Sequence, residues 1–295
     1  MRVHVKRFFF LAATAAILSG PADAAAQSGT TPPAQPPPPA VTVQSEPDPD
    51  LDLVVEEPDF TLAALPTTLR MPRGKFGFRI SHRFSRPIAE GDISDFFADF
   101  FGFDSAAKIG FELRYGVLSG TQAAVHRTND RAIQFSGQHE FMRYEPDKHF
   151  ITIQALGAIE GRNNFSEDFG GAVGAAFSIP FKGHGALYAE PIFVINANID
   201  PFDEEGEQDT FMIGFGGRWR FSSTSRTYIV AEVVPRLSGY RPGVEHTSFA
   251  IERRAGNHMF QFNVSNSLGT TYRQIAQSSP RNDWYVGFNL TRKFW

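Results

Sequence analysis

Between Lys75 and Phe294 apolar residues recur at every second position, in segments of about ten residues set apart by turns. A side-chain period of two is that of a β-strand, whose residues point alternately to opposite faces. The segment Asp283–Phe294 shows the pattern: Trp284, Val286, Phe288, Leu290 and Phe294 share one face, and Tyr285, Asn289, Thr291 and Lys293 the other. Strands with one greasy and one polar face either pack sheet on sheet or close into a barrel whose greasy face meets hydrocarbon. The chain carries 30 Phe against 5 Met while its mean hydropathy is slightly negative. Many aromatics in a chain of middling hydropathy are what alternation produces in a membrane barrel. No stretch beyond the leader approaches the ~18 uninterrupted apolar residues of a membrane helix. A bilayer protein built from this chain must therefore be a closed barrel, the form that satisfies every backbone polar group. A soluble β-sandwich is the rival fold.

The alternation predicts an all-β, antiparallel, up-and-down transmembrane barrel of about twelve strands, with ten or fourteen as alternatives. The strands read Lys75–Phe84, Ala107–Val117, Thr121–Arg127, Arg131–Phe141, His149–Glu160, Asp168–Ile179, Gly185–Ile195, Asp209–Phe221, Arg226–Pro235, His246–Arg254, Asn257–Val264 and Asp283–Phe294. Connections at one end (85–106, 128–130, 161–167, 196–208, 236–245, 265–282) are mostly long. Those at the other (118–120, 142–148, 180–184, 222–225, 255–256) are uniformly short. Long outer loops, short periplasmic turns and an even strand count are the outer-membrane pattern; only 128–130 departs from it.

The N-terminus supplies an address. Arg2, Lys6 and Arg7 precede an apolar run from Phe8 to Leu18 and small-residue sites around Ala22–Ala26. That is a secretory signal peptide over residues 1–26. Residues 27–64 read as a disordered periplasmic arm, stiffened by Pro32, Pro33 and Pro36–Pro39. An acidic run follows, from Glu46 through Asp48, Asp50, Asp52, Glu56 and Glu57 to Asp59. It is a solvated tether or a docking segment for a basic periplasmic partner. The barrel domain is placed at 65–295. The formal charge of −4 becomes −6 without residues 1–26, so nothing points to nucleic acid. Zero Cys removes disulfides and thiolate chemistry.

Two sets of residues carry family information. The final strand, with Tyr285, Gly287, Phe288, Leu290 and Phe294, resembles the C-terminal recognition strand of bacterial outer-membrane barrels. Arg292 stands where an apolar residue is usual, and Trp295 lies one place past the Phe. The resemblance implies that this strand closes the barrel and engages the barrel-assembly machinery. The stretches Leu65–Thr68, Gly74–Phe84, Phe101–Ala107, Gly110–Gly116 and Asn257–Asn266 together resemble a family of bacterial β-barrel proteins known as a domain of unknown function, over about residues 60–295. It implies a barrel and brings no substrate, cofactor or catalytic residue.

Candidate chemistry sits on the inward faces: Arg79, Arg83, Glu112, Arg114, Glu140, Glu160, Glu190, Arg218, Arg220, Glu232 and Glu252. Facing lipid at the midplane, an Arg would cost roughly 2–4 kcal/mol, so the lumen is the side for these charges. Two arrangements fit them equally: a cross-lumen salt-bridge network plugging a narrow barrel, or a water-filled passage with charge selectivity. Seven His follow the signal peptide, with no metal-ligand spacing, and no short motif ties Ser to His. No cofactor, metal or catalytic residue is expected. Ile93, Phe96, Phe97, Phe100 and Phe101 fit an amphipathic helix in the first long loop. Asp200, Asp203, Glu204, Glu205, Glu207 and Asp209 crowd another loop, a solvated acidic loop by default, with divalent cations bridging it to lipopolysaccharide as the alternative and without an EF-hand's alternation of ligands. The leading expectation is passage or binding of a small solute at the outer membrane. A scaffolding barrel tethered through its acidic arm is the alternative, and a barrel-embedded hydrolase is third.

Overall fold

A computed structural model describes residues 56–91, 94, 105–145, 147–181, 183–198, 207–279 and 281–295. They lie within the unit Pro47–Trp295. The strands are β1 (Phe76–Pro87), β2 (Ala107–Leu118), β3 (Thr121–Thr128), β4 (Ile133–Met142), β5 (Thr152–Arg162), β6 (Glu167–Phe181) and β7 (Gly185–Ile195). They continue as β8 (Thr210–Arg220), β9 (Thr227–Val234), β10 (Arg236–Gly239), β11 (His246–Ala255), β12 (His258–Ser265) and β13 (Tyr285–Phe294). A helix, α1 (Tyr272–Gln277), precedes β13.

Every pairing is antiparallel; all join consecutive strands except β9 with β11, β10 with β8, and β1 with β13, the last running from Phe76↔Phe294 to Arg83↔Gly287. The sheet therefore closes as a barrel of twelve strands, and the predicted closing strand closes it. The thirteenth strand, β10, continues β9 beyond Pro235 along the same neighbour, β8. Proline has no N–H to give the ladder, so the strand breaks there. The Pro235 carbonyl still accepts from the Ile213 amide at 3.0 Å.

The predicted alternation appears in burial. On β2, Phe111, Leu113 and Tyr115 are exposed on the outer face, while Glu112 and Arg114 are buried on the inner one. The same outward row recurs on the other strands, with Phe111 at 49% and Phe262 at 57% exposure. An apolar surface of this extent is far beyond what a soluble monomer leaves bare. It is the face a barrel turns to lipid.

The connections 119–120, 143–151, 182–184, 221–226 and 256–257 share one end with the start of β1 and the finish of β13, here called the turn end. Longer connections occupy the loop end, apart from the tight turns 129–132 between β3 and β4, where Arg131 adopts φ 68°, and 163–166 between β5 and β6. The weak segment Thr121–Arg127 is a full strand. Apart from Ser94, the predicted amphipathic helix around Ile93–Phe101 falls outside the described residues, as do most of the acidic loop, the expected signal peptide and most of the expected arm.

One boundary moves. Residues 56–64, read as arm, run inside the barrel: Phe60, Leu62, Ala63 and Leu65 are buried. The acidic run hid this, because Asp59 is held by the barrel wall: Thr291 Oγ1 donates to its carboxylate at 2.9 Å.

Candidate functional site: an occupied lumen

The stretch from Phe60 to Thr67 folds back on itself within the lumen. The Leu62 amide donates to the Leu65 carbonyl (2.8 Å) and the Thr67 amide to the Phe60 carbonyl (2.9 Å). Thr61 and Pro66 pair across the hairpin, whose tip is Ala63-Ala64. Both limbs leave by the turn end. Glu56 accepts from the Gly183 amide in the β6–β7 turn (2.5 Å). On the other limb, the Gly74 amide donates to the Gly116 carbonyl near the end of β2 (2.8 Å).

The tip is gripped by charge. Glu232, on β9, receives the amides of Ala63 (3.1 Å), Ala64 (2.9 Å) and Leu65 (3.2 Å). Successive backbone N–H groups converging on one carboxylate form an anion nest, which offsets burial of the charge. The Ala63 carbonyl faces the opposite wall and takes Arg79 (2.6 Å), Arg83 (3.1 Å) and Asn289 (2.9 Å). Gln261 donates to Leu62 O (3.1 Å) and Arg218 to Thr61 O (2.7 Å). Gln138, Gln154 and Gln122 donate to the carbonyls of Thr67, Thr68 and Leu69. The wall thus supplies the partners a sheet would give this backbone, as a buried irregular segment requires.

Apolar contacts complete the fit. Leu62 and Leu65 lie over β8 where it lacks side chains: a Cβ on Gly216 would fall 2.2 Å from Leu62, and one on Gly214 2.7 Å from Leu65. They join Ile192, Val194 and Met212 of the wall in one cluster with Tyr272, Ile275 and Ala276 of α1. Burying each leucine is worth about 1.5–3 kcal/mol. Nearer the turn end, Phe60 packs with Leu69, Met71 and Trp295. Lys293 and Arg114 stand over the Phe60 ring at 5.3 and 5.2 Å.

Helix α1 enters from the loop end. Thr271 caps it, accepting from the Gln274 amide (3.2 Å), while Gln274 Oε1 accepts from the Thr270 amide (3.1 Å). Arg273 fastens it to the wall through Asn196 O (2.5 Å), Asp168 O (2.6 Å) and the Asp168 carboxylate (2.6 Å). In the β3–β4 turn beneath it, Asp130 is partly buried, which opposes ionisation. The Lys108 ammonium and the Thr128 hydroxyl outweigh that and hold its carboxyl below the usual range.

All eleven predicted inward charges face the lumen, Glu140 half-buried and the rest buried. Some pair with one another: Arg114 with Glu112 (2.8 Å), and Arg218 with Glu252 at full burial. Glu140 takes Arg70 from the hairpin limb (3.1 Å), and Arg220 holds the turns through Ser225 O and Gly183 O. Arg79, Arg83 and Glu232 bind the hairpin backbone instead of opposite charges. Neither carboxylate oxygen of Glu190 bonds to a described residue, nor does one oxygen of Glu160.

The uncharged grips Gln122, Gln138, Gln154, Gln261, Asn289 and Thr291 were not singled out, although the same alternation places them inward. Ser248 and His246 meet at Glu232, both directed at its Oε1 (2.9 and 2.8 Å). The hydroxyl therefore faces an acceptor carboxylate and not an imidazole base. No cluster of three or more metal-ligating side chains occurs among the described residues.

Residues 59–294 match the model of a family described as a membrane-bound β-barrel domain (DUF5777). No curated protein matches the chain significantly in sequence. Among solved structures, a mutant porin of Rhodopseudomonas blastica aligns at 11% identity and TM-score 0.34, over 63% of this chain and 55% of that one. Outer membrane phospholipase A from Escherichia coli aligns at 9% identity and TM-score 0.44, over 81% of this chain and 95% of that one. The chain spans about half the length of the porin it matches.

Proposed function

The chain belongs to the membrane-bound β-barrel family (DUF5777), and from that premise we propose an outer-membrane barrel closed at rest by its own N-terminal hairpin, anchoring a periplasmic arm. The turn end then faces the periplasm, and the loop end faces the lipopolysaccharide leaflet. The observation that carries the reading is the tip: Glu232 holds three hairpin amides, while Arg79, Arg83 and Asn289 hold the intervening carbonyl. Charges that would set the selectivity of a water-filled pore are committed to a segment of the same chain. In this reading the barrel performs no catalytic step, the closing strand β13 is its handle for assembly, and the acidic arm recruits a basic periplasmic partner.

A second reading retains passage of a small solute. Both limbs of the hairpin leave by one mouth, so it can withdraw as a unit without unthreading the wall. Planar-bilayer recording tests the resting state. Silence from the full chain and steady currents from a variant lacking residues 56–71 are expected. Steady currents from the full chain would overturn the closed barrel, whereas openings induced by a ligand of the arm would favour gated passage.

A further inference from the structure

We propose that the lipid-facing surface of β11–β13 at the turn end seats one anionic phospholipid, its phosphate held between Arg253 and Arg292. The inference rests on the membrane reading above.

Arg253 follows Phe249 and Ile251 on the outward row of β11, two residues from the strand's end. Arg292 follows Phe288 and Leu290 on the outward row of β13, also two residues from its end. Both are exposed, and neither forms an ion pair among the described residues. Arg253 spends one N–H on Thr227 Oγ1 (2.8 Å), and Arg292 lies 4.9 Å over the Phe294 ring. Each guanidinium keeps most of its five donors for an outside acceptor. The outward rows of β9, β11, β12 and β13 contain no carboxylate. The two strands are separated by β12 alone, about 10 Å at the usual strand spacing. One phosphodiester can lie between the two side chains.

Directly above lies an apolar groove of about 460 Å³, lined by Ile251, Phe260, Phe262, Phe288 and Leu290, with Arg253 at its end. A second groove, about 670 Å³, shares Ile251 and Phe262 and extends past Ile229 to Trp219. Two adjoining grooves above a cationic rim fit a diacyl lipid with an anionic headgroup. An arginine facing lipid is tolerated only near the headgroup level, and there a phosphate completes its hydrogen bonding.

Native mass spectrometry of the full chain in mild detergent tests this with phosphatidylglycerol and with phosphatidylcholine of the same acyl chains. Retention of the anionic lipid is expected to exceed that of the zwitterionic one by about tenfold, as charge-assisted contacts to phosphate imply. The R253Q/R292Q variant should lose that preference, R131Q at the loop end should keep it, and inorganic phosphate should not displace the lipid. Equal retention of both lipids, an unchanged preference in R253Q/R292Q, or a dimer that buries this face would overturn the proposal. Failure to insert into vesicles would instead overturn the membrane reading, so the two are distinguishable. Heat-shifted mobility on gels shows that each variant has folded.

Discussion

Replacing Glu232 by Gln changes one atom and isolates the grip on the hairpin tip. The carboxylate takes three backbone amides of the tip, at 2.9–3.2 Å. A hydrogen bond to a charged group contributes about 1.5–3 kcal/mol and a neutral one about 0.5–1.5, so each amide loses about 1 kcal/mol. Summed over three amides, docking weakens by about 3 kcal/mol, roughly a hundredfold in the ratio of seated to withdrawn hairpin. The new amide group also turns its own N–H toward donors, which adds to the loss. Hydrogen exchange at Ala63, Ala64 and Leu65 reads this ratio directly. In Glu232→Gln their protection should fall about a hundredfold, while amides in β4–β6, far from Glu232, keep theirs. Unchanged protection at the tip would mean that apolar packing of Leu62 and Leu65 holds the plug, and that the nest is incidental.

Other outcomes follow from the same geometry. Arg218→Met strands the fully buried Glu252 carboxylate and removes a donor to Thr61 O; a loss of about 3–5 kcal/mol is expected, visible as a lowered temperature of the gel-mobility shift. Glu190→Gln removes a buried carboxylate with no described partner, so the same assay should show equal or higher stability. Gly116→Ala places a Cβ 2.0 Å from the Pro72 carbonyl, where the hairpin limb leaves the lumen; a cost of about 1–3 kcal/mol is expected. Asp130 titrates below its ordinary 3.8 because Lys108 and Thr128 favour the carboxylate. Its contribution to holding the β3–β4 turn under α1 is therefore present above that value and lost as pH falls through the depressed one. Exchange at Gln274 should show this step, and Asp130→Asn should abolish it.

The wall of this barrel was legible because each strand repeats one rule, and a period of two needs no partner to be recognised. Phe111, Leu113 and Tyr115 already stand apart from Glu112 and Arg114 in the sequence. What fills the lumen follows no such rule. Phe60–Met71 is interrupted by Pro66 and shows neither a strand nor a helix period, since its backbone is held by side chains 16 to 226 residues away. Acidic Glu56, Glu57 and Asp59 joined it visually to the arm. Helix α1 is too short for a periodicity, yet Thr271-Tyr272-Arg273-Gln274 carries the capping-box spacing that announces a helix start. The inward charges were placed on the correct face, but their partners were unreadable, because a carbonyl acceptor leaves no mark in composition.

The last strand of the barrel grasps the first segment of the described residues. Inward along β13, Asn289 donates to Ala63 O, Thr291 to the Asp59 carboxylate and Lys293 to Pro58 O. Those groups are in place only when the hairpin already lies along the seam between β13 and β1. Ring closure during biogenesis is then templated from within: an unseated hairpin takes Asp59 from Thr291 and Pro58 O from Lys293, and leaves Asn289 only Gln261 and Arg83, at the moment the strand must zip to the first. A defect in the plug would show up as slow or incomplete assembly before it showed up as a leak.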